Sequence, residues 1–261
     1  MEPFSAPLRS CPEAPGRPVP GWRRGAVPVL MGAGITGLAA LAAGRFLWTG
    51  YGPVAALLVY AGIAVLVLIL LPARPTGEGF GAANAVTLLR GAIAAWLAGL
   101  IGSAVPFEAA GWWLAGATVL ALALDGIDGR IARSRRTADA FGARFDMEVD
   151  AFLLLVLSIL AVETGRAGPW VLGIGLMRYL FIAASAVLPA LRRPLPESFR
   201  RKLVCVLQGM GLAFCLMPPV DRDVGSMAAT TALILLAWSF AIDCRRLLAR
   251  PVGRAARSPA S

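Results

Sequence analysis

Residues 125–150 read DGIDGRIARSRRTADAFGARFDMEVD, a charged stretch with a long apolar run on each side. Charge at membrane depth is costly and mostly functional. The stretch reads as two helices joined near Ser134–Thr137. On the first, Asp125 and Asp128 lie three residues apart and share a face with Gly129 and Ala132. Small residues there let a bulky ligand come close to the backbone. Arg133 follows, and its planar fork suits phosphate. On the second helix Gly142, Asp146 and Asp150 recur every four residues, again as one stripe. If the two faces meet, four carboxylates converge. Without a counter-charge they repel one another strongly. Hard divalent cations resolve the repulsion, because Mg²⁺ and Mn²⁺ prefer oxygen ligands and bridge carboxylates to substrate phosphates. Two such ions can clamp both ends of a displacement at phosphorus, and a neighbouring carboxylate can take the proton of an attacking hydroxyl.

The surroundings of the stretch decide the fold class. The chain has 261 residues, 58% of them hydrophobic, and a mean hydropathy of +0.72. That is too apolar for a soluble domain and predicts an all-α, polytopic membrane helical bundle. Eight apolar segments stand out, at roughly 26–47, 53–72, 82–104, 109–130, 138–162, 168–191, 201–219 and 225–246. Each approaches or exceeds the roughly 20 residues that a bilayer crossing needs. Residues 1–21 are Pro-rich and 249–261 Arg-rich, and both read as disordered cytoplasmic tails. Arg23 and Arg24 precede the first segment and Ala40-Leu41-Ala42 falls inside it, features shared with a cleaved signal peptide. A retained anchor is the simpler reading, since the run is long and a second span follows at once.

Charge gives the orientation. The formal net charge is +10, almost every cation is Arg, and Lys202 is the sole lysine. With the N-terminus in the cytoplasm, the inner loops collect Arg74, Arg130 to Arg136, Arg192, Arg193, Arg200, Arg201, Lys202 and the tail from Arg245. The outer loops hold little beyond Arg45, Arg166 and Arg222. The positive-inside rule expects that asymmetry. Trp48, Tyr51, Trp112, Trp113 and Trp170 fall near the outer ends, as an interfacial aromatic belt does. Both signals put the acidic stretch at the cytoplasmic rim of an integral membrane protein. No nucleic acid is expected as a partner, because the positive charge comes with no soluble basic surface.

What is missing narrows the chemistry. Histidine is absent, and Cys11, Cys205, Cys215 and Cys244 form no CxxC pair. A zinc site, a Ser-His-Asp triad and a Cys-His pair are thereby disfavoured. Acid–base work at neutral pH is left to carboxylates, Lys, Tyr or a metal.

The spacing Asp125, Asp128, Gly129, Ala132, Arg133, Gly142, Asp146, Asp150 resembles the CDP-alcohol phosphatidyltransferase signature D-x2-D-G-x2-A-R-x8-G-x3-D-x3-D at all eight fixed positions. The resemblance implies a six-helix catalytic core at 77–248, preceded by a two-helix transmembrane hairpin at 22–76. It implies that Asp125, Asp128, Asp146 and Asp150 hold two Mg²⁺ or Mn²⁺ ions. It implies that Gly129, Ala132, Arg133 and Gly142 shape the CDP site. Asp150 becomes the general base that activates the acceptor alcohol. Its oxygen then attacks the lipid-linked β-phosphate of CDP-diacylglycerol and expels CMP, a step of phospholipid biosynthesis in a bacterial inner membrane. Homodimers are common in that family.

Further residues echo the family. Asn84, Thr87 and Arg90 resemble its N-x2-T-x2-R element, while helix–helix hydrogen bonding alone also accounts for the first two. Lys202 and Gln208 resemble part of a G-K-x-K-T-x2-Q stretch, in which Arg201, Val204 and Cys205 replace the Gly, second Lys and Thr. Lys202 also suits a snorkelling interface cation. Arg178 lies too deep for easy snorkelling, and reads as a phosphate ligand or as the ion-pair partner of a clustered aspartate. Met147, Glu148 and Val149 stand where phosphatidylglycerophosphate synthases read P-x-A after the first Asp, and Glu148 falls off the aspartate stripe. The acceptor stays open among glycerol phosphate, inositol phosphate, serine and another phospholipid. Three other readings compete. A Mg-dependent membrane prenyltransferase would need a second, separate Asp-rich motif. A cation transporter would need acidic residues at mid-depth in several spans. A catalytically silent interaction protein would have no need to keep all four aspartates.

Overall fold

The computed structural model describes Gly32, Gly34 and residues 51–70, 82–103, 107–135, 140–192 and 198–249. The expected tails at 1–21 and from 250 on lie outside the described residues, as does the first apolar segment apart from Gly32 and Gly34. The helices are α1 (Gly52–Leu70), α2 (Ala82–Ala98), α3 (Phe107–Arg135), α4 (Ala140–Glu163), α5 (Leu172–Val187), α6 (Phe199–Cys215) and α7 (Arg222–Leu248). Two short 3₁₀ turns, Pro169–Val171 and Pro189–Arg192, flank α5, and the described residues contain no strand. The chain is the all-α bundle that its hydropathy predicts, with α2–α7 forming the six-helix core.

Local chemistry sets the breaks. The third apolar segment was expected to run to 104, but its helix stops at Ala98, and the turn that follows places Gly102 at φ 74°. Gly165 at φ 67° does the same after α4. Glycine takes this left-handed conformation without steric cost. Pro189 ends α5 by driving Leu188 into extended backbone, φ −110° and ψ 94°. Asp221 caps α7 by accepting from the Asp223 amide at 2.8 Å. Asp223 in the first turn and Arg245 and Arg246 in the last complement the helix dipole.

Among the described residues two helical segments, Pro169–Val187 and Arg222–Leu248, are long and apolar enough to cross a membrane. Only 17% and 28% of their apolar windows are buried in the protein, so their greasy faces point outward, as lipid-facing helices do. Hydroxyls within the bundle fold back on the preceding turn. Thr118 donates to the Leu114 carbonyl and Ser158 to Leu154, both at 2.7 Å. That satisfies each O–H where no water reaches.

The main apolar core joins α2, α4, α6 and α7 through residues such as Leu97, Leu157, Leu212 and Leu236. A second cluster packs Tyr60, Ala64 and Val67 of α1 against Leu88, Ala92 and Ala95 of α2 and Phe145 and Val149 of α4. The helix outside the six-helix core thus braces the two that carry Arg90, Asp146 and Asp150. Gly175 of α5 lies so close to α4 that a Cβ there would meet Leu155 Cα, with Leu155 N at 2.8 Å. Because those are backbone atoms, the helices must part to admit a methyl. Gly175→Ala should therefore cost about 2 kcal/mol as an overpacking change. The check is a lower unfolding midpoint in detergent, against an unchanged midpoint for Gly62→Ala, whose Cβ meets nothing within 4 Å.

The connections between consecutive helices are short, so neighbours alternate in direction. One end of the bundle then gathers the start of α2, the last turns of α3, the first turns of α4, the end of α5, the start of α6 and the end of α7. The opposite end carries Tyr51, Trp112, Trp113 and Trp170, all exposed in the manner of an interfacial belt. It is tied together by polar contacts. The Gly102 amide donates to Glu163 Oε2 at 3.0 Å. Arg166 donates through Nε to the Cys215 carbonyl at 3.0 Å, and through Nη2 to Met217 at 3.2 Å and to Val220.

Candidate active site

Asp125 near the end of α3 and Asp146 and Asp150 on α4 come together at one end of the bundle, each offering a carboxylate oxygen within 4.8 Å of the others. Helical spacing explains the pair on α4. The close approach of α3 and α4 to a shared neighbour, α2, brings in the third. Side chains at 127–135 lie outside the described residues, so of Asp128, Gly129, Ala132 and Arg133 only the helical backbone is described. Gly142 is half-buried one turn before Asp146.

A cation sits among the three carboxylates. The Arg90 guanidinium, 1% exposed, reaches Asp125 Oδ1 at 3.1 Å and Asp146 Oδ1 at 2.6 Å through Nη1, and Asp150 through Nη2. Its fork spans two helices that are not its own, a geometry that Lys cannot copy. Asn84 and Thr87 are buried on the same helix, and Thr87 donates to the Ala83 carbonyl at 3.2 Å. Spacing placed Arg90 in a secondary element of the motif. Packing makes it the hub.

Beyond Asp150 lies a cavity of about 200 Å³ between α4, α5, α6 and α7. Its wall is largely apolar, with Asp150, Arg178, Arg201, Gln208 and Asp243 as charged or amide groups. Asp150 therefore faces Arg90 and its carboxylate neighbours on one side and the cavity on the other. Arg178 pairs with Glu148 through Nη2. Its partner is Glu148, which the stripe left peripheral, and not one of the clustered aspartates. Lys202 is exposed at the start of α6.

Two further charged residues escaped the sequence reading. Asp243 is buried at the end of α7, where it receives Arg200 and lies 3.8 Å from Arg201. Arg200 also donates to the Ser239 carbonyl at 2.6 Å and packs 5.8 Å from the Trp238 ring. A carboxylate in the last apolar segment was the available signal, because acidic residues in such segments are rare without a partner.

The donor set suits a hard divalent ion. It is oxygen-only, convergent and half-buried. A family model for CDP-alcohol phosphatidyltransferase matches residues 80–242, from the start of α2 well into α7. Members of this family are membrane-embedded, divalent-metal-dependent phosphotransferases that act on a CDP-alcohol and an acceptor alcohol. Neither the curated proteins nor the solved structures offer a match. With three of its four signature aspartates converging at one end of a six-helix core and the family model covering most of that core, the chain belongs to the CDP-alcohol phosphatidyltransferase family.

Proposed function

We propose that this enzyme transfers a phosphatidyl group from CDP-diacylglycerol to an acceptor alcohol and releases CMP, as a step of phospholipid biosynthesis. The observation that carries the reading is the double exposure of Asp150, to the acidic cluster and to the cavity. An alcohol held in the cavity has its hydroxyl beside a carboxylate that can accept the proton. The oxygen forms the new bond to the lipid-linked phosphorus, the pyrophosphate P–O bond breaks, and CMP leaves with that electron pair. Asp125, Asp128, Asp146 and Asp150 would hold two Mg²⁺ or Mn²⁺ ions, which when bound supply charge neutralisation and Lewis acidity at the phosphates. Gly129, Ala132, Arg133 and Gly142 would line the CDP site, with Asn84, Thr87, Arg90, Arg178 and Lys202 around the phosphates and the acceptor.

The proposed setting is a bacterial inner membrane with the site at the cytoplasmic face. Support comes from the cations at the site end, Arg200, Arg201, Lys202, Arg245 and Arg246, against Arg166 and Arg222 at the opposite end. The N-terminal hairpin would scaffold the core or mediate a homodimer.

The test is CMP release from CDP-diacylglycerol by the purified protein across a panel of alcohols. Chelation by EDTA is expected to bring release to background, and excess Mg²⁺ or Mn²⁺ to restore it. Release that ignores chelation, or that occurs with no alcohol in the panel, would sink the proposal.

A further inference from the structure

We infer that the acceptor is an alcohol of zero net charge, a polyol or a zwitterion, and not a phosphomonoester. The inference rests on the proposed transfer reaction and names the substrate class of its second site. It starts from the charges on the cavity wall. Arg178 and Arg201 face Asp150 and Asp243 there, two of each sign. With their outer partners, Glu148 on Arg178, Arg200 on Asp243, and Arg90 with Asp125 and Asp146 beside Asp150, four arginines meet five carboxylates among the described residues. The cavity's arginines are thus already committed to carboxylates of the protein. A phosphomonoester brings about −1.5 to −2 charges. In a largely apolar cavity that charge is costly unless a cation is released to meet it.

What the wall does offer is unmet hydrogen-bond donors. Gln208 is 3% exposed, and its Nε2 has no hydrogen-bond partner among the described residues. The buried Arg178 Nε is likewise without one. Buried donors are rarely left unmet, and both belong to residues that line the cavity. A hydroxyl or carboxylate oxygen of a small acceptor would satisfy them. The volume of about 200 Å³ is below the ~300–1,000 Å³ of pockets for drug-sized ligands, which fits a small molecule.

Glu148 is then a positioning residue for specificity: it keeps the Arg178 fork turned to the protein. The experiment measures kcat/KM for CMP release with glycerol, inositol and serine beside glycerol 3-phosphate and inositol 1-phosphate. The wild type should favour at least one net-neutral acceptor over both phosphomonoesters by ten-fold or more. Glu148→Gln, which releases Arg178, should move that ratio toward the phosphomonoesters by about ten-fold, a change that loss of fold alone would not make. Preference of the wild type for a phosphomonoester, or a ratio unmoved by Glu148→Gln, overturns the acceptor assignment and leaves the transfer reaction standing. No CMP from any of the five alcohols overturns both.

Discussion

Asp150→Asn is expected to lower kcat for CMP release by about 10²–10⁴, the span that loss of a general base produces. The substitution keeps the shape of the side chain and the oxygen that faces Arg90, and removes the capacity to take a proton. It also weakens one member of a three-carboxylate donor set. Fold should survive, because α4 is held by Leu153, Leu157 and Leu160 in the core, and Asp125 and Asp146 still pair with Arg90. The decisive comparison is activity against unfolding midpoint in one preparation. A large loss of turnover at a midpoint within a few degrees of wild type is the expected pair. Unchanged turnover removes Asp150 from the role of base.

Arg90→Ala has the largest expected effect on stability. The guanidinium is buried and meets three carboxylates, so its removal leaves them facing one another across a space that water enters poorly. Breaking a buried ion pair from one side costs about 3–5 kcal/mol, and these carboxylates, a quarter to a third exposed, place the cost near the lower figure. About 3 kcal/mol corresponds to a fall of ~6–12 °C in midpoint for a chain of this size. The measurement is thermal unfolding in detergent with EDTA. Millimolar Mg²⁺ should recover part of the loss in Arg90→Ala, since a ligand of the native state stabilises it by mass action. Arg90→Lys should also recover only part, because one ammonium cannot reach three carboxylates as a fork does. An unchanged midpoint for Arg90→Ala in EDTA would show that the hub carries no stability.

The contrast between Asp146 and Glu148 shows what sequence can carry. Asp146 and Asp150 share a stripe, and helical periodicity alone brings them together. Their meeting with Asp125 depends on the packing of α3 and α4 against a shared neighbour, α2. Glu148 sits two residues along, off that stripe, and looked peripheral for the same reason. Its partner, Arg178, comes from α5, and periodicity within one helix says nothing about which helix packs on its other face. Arg90 was legible as part of the N-x2-T-x2-R element, but its place among the aspartates was not: 35 residues before Asp125, it reaches them through the packing of α2 on α3 and α4. Arg200 was read as a topological charge, and its pairing with Asp243 depends on the α6–α7 contact. The helices themselves were legible within a few residues, because apolar length and Gly or Pro punctuation are local. At the turn after Ala98 the helix ends before the apolar run does, because Gly102 takes up a left-handed turn.

The Arg166 contacts have a mechanical consequence. One side chain from the α4–α5 connection grips the last carbonyl of α6 and two carbonyls of the α6–α7 connection, at the end of the bundle away from the aspartates. That end is a pivot, and α6 is a lever arm of roughly 25 Å at 1.5 Å per residue. A tilt of about 10° about the pivot moves the far end of the lever by ~4 Å. Angular play that is negligible among the tied carbonyls is thereby amplified at the end that carries the aspartates and the cavity, with no loop of the tethered end needing to rearrange.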